Sequence, residues 1–124
     1  MIDFQGLEGH AEEVSALLSA MGSRKRFIVF CNLVNDEMQV GALAKKAEMS
    51  QSALSQHLAR LKASNLVKTR RDAQTVYYSI SSEAVLVVLR TLNDIYCRRE
   101  VASLPDGSIK ATKARGRKTN LPAT

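Results

Sequence analysis

The spacing of the apolar residues changes twice along the chain, and this change restricts the fold more than any other feature. Up to Ser64, apolar residues recur every three or four positions, as on one face of a helix. From Val67 to Ile80 they alternate with polar residues on both sides of a polar, basic centre at residues 71–74, which is typical of a β-hairpin. After Ser82 the helical spacing returns. The chain is therefore predicted to be mainly α-helical, with one hairpin between helices.

The starts and ends of the helices can also be predicted. Helices are expected at about residues 8–21, 23–35, 40–46 and 50–64, and a last helix begins at Ser81 or Ser82. Ser23 and Ser50 are good N-capping residues, and Asn65 suits a left-handed conformation at a helix end. The apolar stripe of the last helix is too large for the hairpin to cover, so this helix needs a partner.

The fourth predicted helix has two very different faces. Leu54, Leu58 and Leu61 form an apolar stripe that can pack on a core. The opposite face carries only short or amide side chains, namely Ser52, Ser55, Gln56 and Ala59. A solvated helix face in a chain so rich in lysine and arginine would carry Lys and Glu. A face without bulky or acidic groups lets a helix approach base edges in the major groove of DNA.

The basic charge of the body surrounds this helix. The net charge is +6, but residues 105–124 hold five bases against one acid, so the preceding residues contribute only +2. Residues 45–72 hold seven bases against Glu48 and Asp72, whereas residues 1–23 hold acids only. Such a local cluster of bases favours contact with nucleic acid.

The candidate DNA-binding residues lie on the fourth helix and at the hairpin. Gln and Ser can hydrogen-bond base edges, whereas Lys and Arg neutralise phosphates and set the register of a protein on the duplex. The candidates for base contacts are Gln51, Ser52, Ser55 and Gln56. The candidates for the backbone or the minor groove are Arg60, Lys62, Arg70, Arg71 and Gln74. His57 lies at the edge of the leucine stripe, where core packing or a phosphate contact is favoured over base reading or metal binding.

Length and composition indicate one domain and a tail. A chain of 124 residues with 45% apolar residues is long enough for one domain with a core, predicted here for residues 1–104. Residues 105–124 have no apolar periodicity and are interpreted as a disordered basic tail. No apolar run is long enough for a bilayer, and the acidic N-terminus does not resemble a signal peptide. We therefore expect a cytoplasmic protein with no membrane partner.

The segment from Val40 to Ile80, VGALAKKAEMSQSALSQHLARLKASNLVKTRRDAQTVYYSI, strongly resembles the ArsR/SmtB family of bacterial winged helix-turn-helix repressors. The similarity extends from about Glu13 to Cys97. The resemblance implies a repressor and not an enzyme, with the element order α-α-α-α-β-β-α. It also implies a homodimer whose first and last helices form the interface and whose recognition helices bind a palindromic operator. Such an interface would cover the apolar stripe of the last helix.

Many members of this family respond to metals, but their ligands are not matched here. Zinc- and cobalt-type members use Asp and His on the last helix, and the last predicted helix of this chain has no histidine. Arsenic- and cadmium-type members commonly use a cysteine pair at the start of the third helix, and Val40 to Ala47 contains no cysteine. No metal and no cofactor is therefore predicted. A metal-responsive repressor with a three-ligand site between subunits is an open alternative.

The two cysteines match another branch of the family. Cys31 and Cys97 correspond to the cysteine pair of the BigR and SqrR group, in which reactive sulfur species bridge two thiols and the repressor leaves its operator. The match implies that both are redox-sensing residues. Cys31 also shares an apolar stripe with Phe27 and Val34, where a cysteine is usually a small core residue. The central segment equally resembles NolR, a rhizobial regulator of nodulation and symbiosis genes. No thiol switch is implied for NolR, and in that alternative Gln56 is the residue most expected to meet a base.

Overall fold

The structure of the protein, a computed structural model, describes residues 1–98. This part of the chain forms the helices α1 (Phe4–Glu8), α2 (Ala11–Gly22), α3 (Arg24–Leu33), α4 (Val40–Ala47), α5 (Gln51–Ala63) and α6 (Glu83–Asn93). The strands β1 (Met38–Gln39), β2 (Val67–Asp72) and β3 (Thr75–Ile80) form an antiparallel sheet in the order β1-β3-β2. A π-helical segment, Asp94–Arg98, follows α6. The chain divides into two compact units, Met1–Val85 and the segment that begins at Leu86.

The predicted mainly α-helical fold with a β-hairpin wing is confirmed, but the start of the chain differs from the prediction. The helix predicted at about residues 8–21 is α2, and α1 is an additional helix that precedes it and ends at Glu8. The side chain of Asp3 caps α1 by accepting a hydrogen bond from the amide of Gly6 at 3.0 Å. A helix of five residues is too short to leave a recognisable apolar period in a sequence.

Strand β1 is the second element that the predicted order does not contain. It has two residues, and it pairs with β3 in the register Met38↔Tyr78 and Gln39↔Tyr77. Because β3 lies between β1 and β2, the hairpin becomes the larger part of a three-stranded sheet. The residues just before β1 are thereby brought to the edge of the wing.

The predicted serine caps are present. In each case the serine Oγ accepts a hydrogen bond from an amide three residues later: Ser23 from Arg26 (3.3 Å), Ser50 from Ala53 (3.1 Å) and Ser82 from Val85 (3.2 Å). Of the two alternatives for the last helix, Ser82 is the cap. Ser81 instead donates its hydroxyl hydrogen to the carbonyl of Asn65 at 3.0 Å. Asn65 itself has the expected left-handed backbone, with a φ of 63°.

The core of the first unit contains the predicted leucine stripe of α5, but on α3 the buried residues are Val29, Phe30 and Leu33, whereas the predicted Phe27 and Val34 are only half-buried. Its buried side chains are Met21, Val29, Phe30, Leu33, Leu43, Ala44, Ala47, Leu54, Leu58, Leu61, Val67 and Val85. Three of them, Leu54, Leu58 and Leu61, are the leucine stripe of α5. Full burial of a leucine stabilises a fold by about 1.5–3 kcal/mol. These leucines therefore hold one side of α5 on the core and leave its opposite side to the solvent.

The second unit is described from Leu86 to residue 98. Leu89 is buried, whereas Val87, Ile95 and Tyr96 are exposed. Among residues 1–98, none of the helices combines the length and the apolar character that a membrane crossing requires. The predicted basic tail at residues 105–124 and the predicted domain end at residue 104 lie outside the described residues.

Candidate nucleic-acid interface

The outer side of α5 is exposed along its whole length. Its exposed residues are Gln51, Ser52, Ser55, Gln56, Ala59, Arg60, Lys62 and Ala63. The four candidate base-contacting residues are thereby brought together in the first half of one helix. Arg60 and Lys62 lie in the last turn. Uncharged donors and acceptors thus stand at the end of α5 that would enter a groove, and positive charge stands at the other end.

A three-residue turn connects α4 to α5. Its first residue, Glu48, ends α4 with a φ of 57° and a ψ of 51°, and its amide donates to the carbonyls of Ala44 and Lys45. The amide of Met49 also donates to the carbonyl of Ala44, at 3.1 Å. Because the left-handed residue reverses the chain within three positions, α4 and α5 form a helix-turn-helix. This turn orients the exposed side of α5.

His57 lies at the inner edge of α5. It is half-buried, and its Nδ1 atom is buried with no hydrogen-bond partner among the described residues. Burial lowers the pKa of His57, and the positive charges of Arg26, Arg60 and Lys25 lower it further. The lowered pKa favours the neutral form of the imidazole, which attracts a phosphate weakly. Of the two interpretations made from the sequence, this environment favours packing over a phosphate contact.

The wing is the hairpin of β2 and β3. Asp72 pairs with Thr75, so the turn consists of Ala73 and Gln74, and Ala73 has a φ of 57°. Gln74 and Arg71 are exposed at this tip. Side chains alternate between the two faces of a strand, so Arg71 and Arg70 lie on opposite faces of β2. The predicted wing residues therefore do not form one surface.

Arg70 forms an ion pair that the sequence does not predict. Its Nε donates to Oε1 of Glu37 at 3.0 Å, and its Nη2 donates to Oε2 at 2.6 Å. The guanidinium carbon lies 4.7 Å from the ring centroid of Tyr77, the partner of Arg70 in the β2–β3 register. The hydrogen bonds from Arg70 are the main reason that the pKa of Glu37 is lowered, and the same pair raises the pKa of Arg70. Arg70 is thus partly neutralised in the free protein.

Two charged residues near the predicted site, Glu37 and Lys68, are not among the candidates predicted from the sequence. Glu37 is 33 positions from Arg70 in the sequence, and it reaches the wing because β1 joins the sheet beside β3. No local pattern could have indicated this pairing. Lys68 is exposed and lies on the same face of β2 as Arg70. Its alternation with Arg70 was a usable signal, because both are bases two positions apart on a predicted strand.

The two candidate redox residues, Cys31 and Cys97, are both exposed. Cys31 therefore does not pack in the core as its position between Phe27 and Val34 suggested. The adjacent Phe30 is fully buried and occupies the inward position on α3 instead. Cys97 lies in the π-helical segment, in the second unit.

Metal-ligating side chains are not clustered in the described part of the chain. Within residues 1–98, no group of three or more His, Cys, Asp or Glu could hold a metal ion. His10 lies on the exposed side of the α2 start, with its Nδ1 atom 2.7 Å from Oε1 of Glu13. His57 is half-buried at the inner edge of α5.

Comparison with known proteins identifies the family. The family model described as bacterial regulatory protein, arsR family, matches residues 24–69, from the start of α3 into β2. The nodulation protein NolR of Rhizobium meliloti is 60% identical over 86 residues, which are 69% of this chain and 70% of that protein. The chain belongs to the ArsR family of bacterial regulatory proteins. The resemblance found in the sequence is thereby confirmed, and so is the expectation of a regulator in place of an enzyme.

Two further relatives have solved structures. The transcriptional activator HlyU of Vibrio cholerae is 41% identical over 97 residues, 78% of this chain and 90% of that protein. Its structure in a form described as reduced has a TM-score of 0.69 over 75% of this chain and 98% of that chain. The transcriptional repressor BigR of Xylella fastidiosa has a TM-score of 0.72 at 30% identity, over 77% of this chain and 98% of that chain. The relatives include both an activator and a repressor.

Proposed function

We propose that the protein is a cytoplasmic, homodimeric transcriptional repressor that binds a palindromic operator in double-stranded DNA. The observation that carries this proposal is the division of α5 into two sides. Its leucines are buried, whereas its opposite side is exposed and, in the first half of the helix, is uncharged and rich in hydrogen-bonding groups. A recognition helix needs this combination, because the core must hold one side while the other approaches base edges.

The proposed roles of the residues follow from their side chains and positions. Gln51, Ser52, Ser55 and Gln56 contact bases, and Gln56 is well suited to adenine because its amide can pair with N6 and N7. The phosphate and minor-groove contacts come from the last turn of α5 and from the wing, namely Arg60, Lys62, Arg70, Arg71 and Gln74. His57 supports the helix from inside and contributes no charge. Phosphate contacts predict DNA binding that weakens steeply with added salt.

The proposed homodimer is supported by apolar side chains that the single chain leaves exposed. In the first unit these are Phe4, Leu7 and Leu18, with exposures of 70%, 52% and 57%. In the second unit they are Val87, Ile95 and Tyr96. Exposed apolar side chains in each unit are expected of a chain that pairs with a second copy. A two-fold dimer would present two α5 helices to two half-sites of a palindrome.

We further propose that Cys31 and Cys97 release the protein from its operator when reactive sulfur species oxidise them. One thiolate takes the terminal sulfur of a persulfide RSSH and releases RSH, and the other thiolate then forms the disulfide and releases hydrosulfide. The exposure of both cysteines supports the access that this chemistry requires. A thousandfold loss of affinity would need about 4 kcal/mol of difference between the two states.

A second candidate function is a NolR-like regulator without a thiol switch. The 60% identity to NolR favours this alternative, since it exceeds the identity to BigR. In that case the operator would be bound by the same α5 residues, and Cys31 and Cys97 would have no regulatory role.

The deciding experiment is a binding titration with DNA from upstream of the protein's own gene. The parent is titrated in reduced form and after treatment with a persulfide donor, beside Cys31→Ser and Cys97→Ser. We expect tight binding by all three reduced proteins and a loss of binding on treatment in the parent only. Equal binding by parent and variants after treatment would support the NolR-like alternative. A parent that shows no salt-dependent DNA binding would overturn the proposed function altogether.

A further inference from the structure

The ion pair between Glu37 and Arg70 joins three parts of the sheet. Glu37 precedes β1, Arg70 lies on β2, and Tyr77 lies under the guanidinium on β3 between them. Both carboxylate oxygens of Glu37 are used, by Nε at 3.0 Å and by Nη2 at 2.6 Å. One edge of the guanidinium is therefore occupied by a carboxylate in the geometry that it would otherwise offer to a phosphate.

This pair is exposed enough to be exchanged. The side chain of Arg70 is 53% exposed and that of Glu37 is 35% exposed. Exposed ion pairs contribute little to stability, because water competes for both charges. A DNA phosphate that approaches the wing can therefore compete with Glu37 for the same edge of Arg70. A phosphate that binds this edge must displace the carboxylate of Glu37.

We propose that Glu37 competes with the DNA backbone for Arg70. By occupying Arg70, Glu37 lowers the affinity of the wing for any duplex. This inference rests on the proposed DNA-binding function and adds a residue to it. A carboxylate that holds Arg70 partly neutralises its charge in the free protein, so the wing attracts phosphates with less positive charge than its sequence suggests. Phosphate contacts carry no base information. Glu37 therefore lowers the affinity for operator and for unrelated DNA by the same factor.

The test is a set of binding titrations of the full chain against its operator and an unrelated duplex of equal length, over a range of salt concentrations. We expect Glu37→Gln to raise both affinities by the same factor, about threefold to tenfold, because Arg70 becomes available to a phosphate. The logarithmic salt slope should become steeper by about 0.9 for each subunit, the value for one additional phosphate contact. In an Arg70→Gln background, Glu37→Gln should produce a smaller gain, because no guanidinium is released.

Asp72→Asn provides the matched control. Asp72 is exposed, and it lies on the same strand and face as Arg70, so this variant removes one negative charge from the same surface. The bidentate pair is left intact. We expect Asp72→Asn to raise the affinity less than Glu37→Gln does. Equal gains from the two variants would mean general charge repulsion and would overturn the inference, as would an unchanged or lowered affinity in Glu37→Gln.

A measurement on the parent covers the possibility that Glu37→Gln disturbs the fold. The Nε–H nuclear magnetic resonance signal of Arg70 reports its hydrogen bond to Glu37, and we expect it to shift when the unrelated duplex binds. An unchanged signal in the bound state would mean that the pair persists on DNA. That result would overturn the proposed competition by Glu37 but would leave the proposed DNA binding intact. If the parent bound neither duplex, that result would overturn the proposed DNA-binding function and, with it, the inference about Glu37.

Discussion

Gln56 is the residue on which the proposed base reading depends most. It is exposed in the second turn of α5, and its amide carries both a donor and an acceptor at one end. We expect Gln56→Ala to relax specificity at one base pair of each half-site, at a cost of about 1–3 kcal/mol. The measurement is an affinity series in which each operator position is changed in turn. Lys62→Ala is the comparison, because loss of a phosphate contact should weaken all sequences alike. Unaltered discrimination by Gln56→Ala at every position would rule out its proposed role.

Glu48 is a non-glycine residue in the left-handed conformation. With a φ of 57° at the end of α4, its Cβ crowds the backbone, which costs about 1–2 kcal/mol in such a position. Glu48→Gly removes that crowding but gives the unfolded chain more freedom, so we expect a net stabilisation of about 0.5–1 kcal/mol. Urea denaturation measures the change. Glu48→Ala keeps the Cβ and should show no such gain; a gain in both variants would instead point to the lost charge.

His57 gives the stability of the fold a pH dependence of definite sign. Its pKa is lowered in the folded protein, first by burial and then by nearby positive charges, so the unfolded chain takes up a proton more readily. The stability is therefore complete above the pKa of the unfolded state, about 6.5, and is lost as the pH falls towards the folded value. We expect the thermal midpoint of the parent to drop between pH 7 and pH 5 and to drop less in His57→Gln. A drop of the same size in the parent and in His57→Gln would exclude His57 as its source.

At the scale of an element, the Ser50 cap determines where α5 begins. Its Oγ accepts a hydrogen bond from the amide of Ala53 at 3.1 Å, which satisfies a group that the helix cannot satisfy itself. We expect Ser50→Ala to lower the free energy of unfolding by about 0.5–2 kcal/mol, measured by denaturation followed by circular dichroism. Ser55→Ala, in the middle of the same exposed side, should cost nothing because Ala favours helix there. Equal losses in both variants would show that the effect is not capping.

The elements also show which features could be predicted from the sequence. The cap at Ser50, the leucine spacing of α5 and the alternation of the hairpin are local patterns, and they appear in the structure as predicted. Strand β1 has no such pattern, because its two residues form a strand only by pairing with β3, which is distant in sequence. The pairing of Glu37 with Arg70 depends on that strand, so it could not be predicted either. The exposure of Cys31 depends on which of two neighbouring residues on α3 faces the core, and the larger Phe30 takes that position.

At the scale of the whole molecule, the exposed apolar residues of α1 and α2 bear on the oligomeric state. Leu18 is 57% exposed, and Phe4 and Leu7 are exposed on the short helix before it. A charge at the centre of a dimer surface is strongly unfavourable, because burial would remove it from water without a partner. We therefore expect Leu18→Glu to shift the protein towards a monomer in sedimentation equilibrium. Ala16→Glu is the matched control, since Ala16 is also exposed and lies on the other side of α2.

The same variant connects assembly to DNA binding. A dimer that holds two α5 helices binds the second half-site at a high effective concentration, a gain of about 10²–10⁴ in affinity over one half-site. Leu18→Glu should lose that gain on a palindrome while its affinity for a single half-site stays near that of the parent. If the palindrome were bound as tightly as before by a protein that sediments as a monomer, dimer formation would not be the source of operator affinity. If Leu18→Glu remained a dimer, α2 would lie outside the interface, and the apolar residues of the second unit would be the next to change.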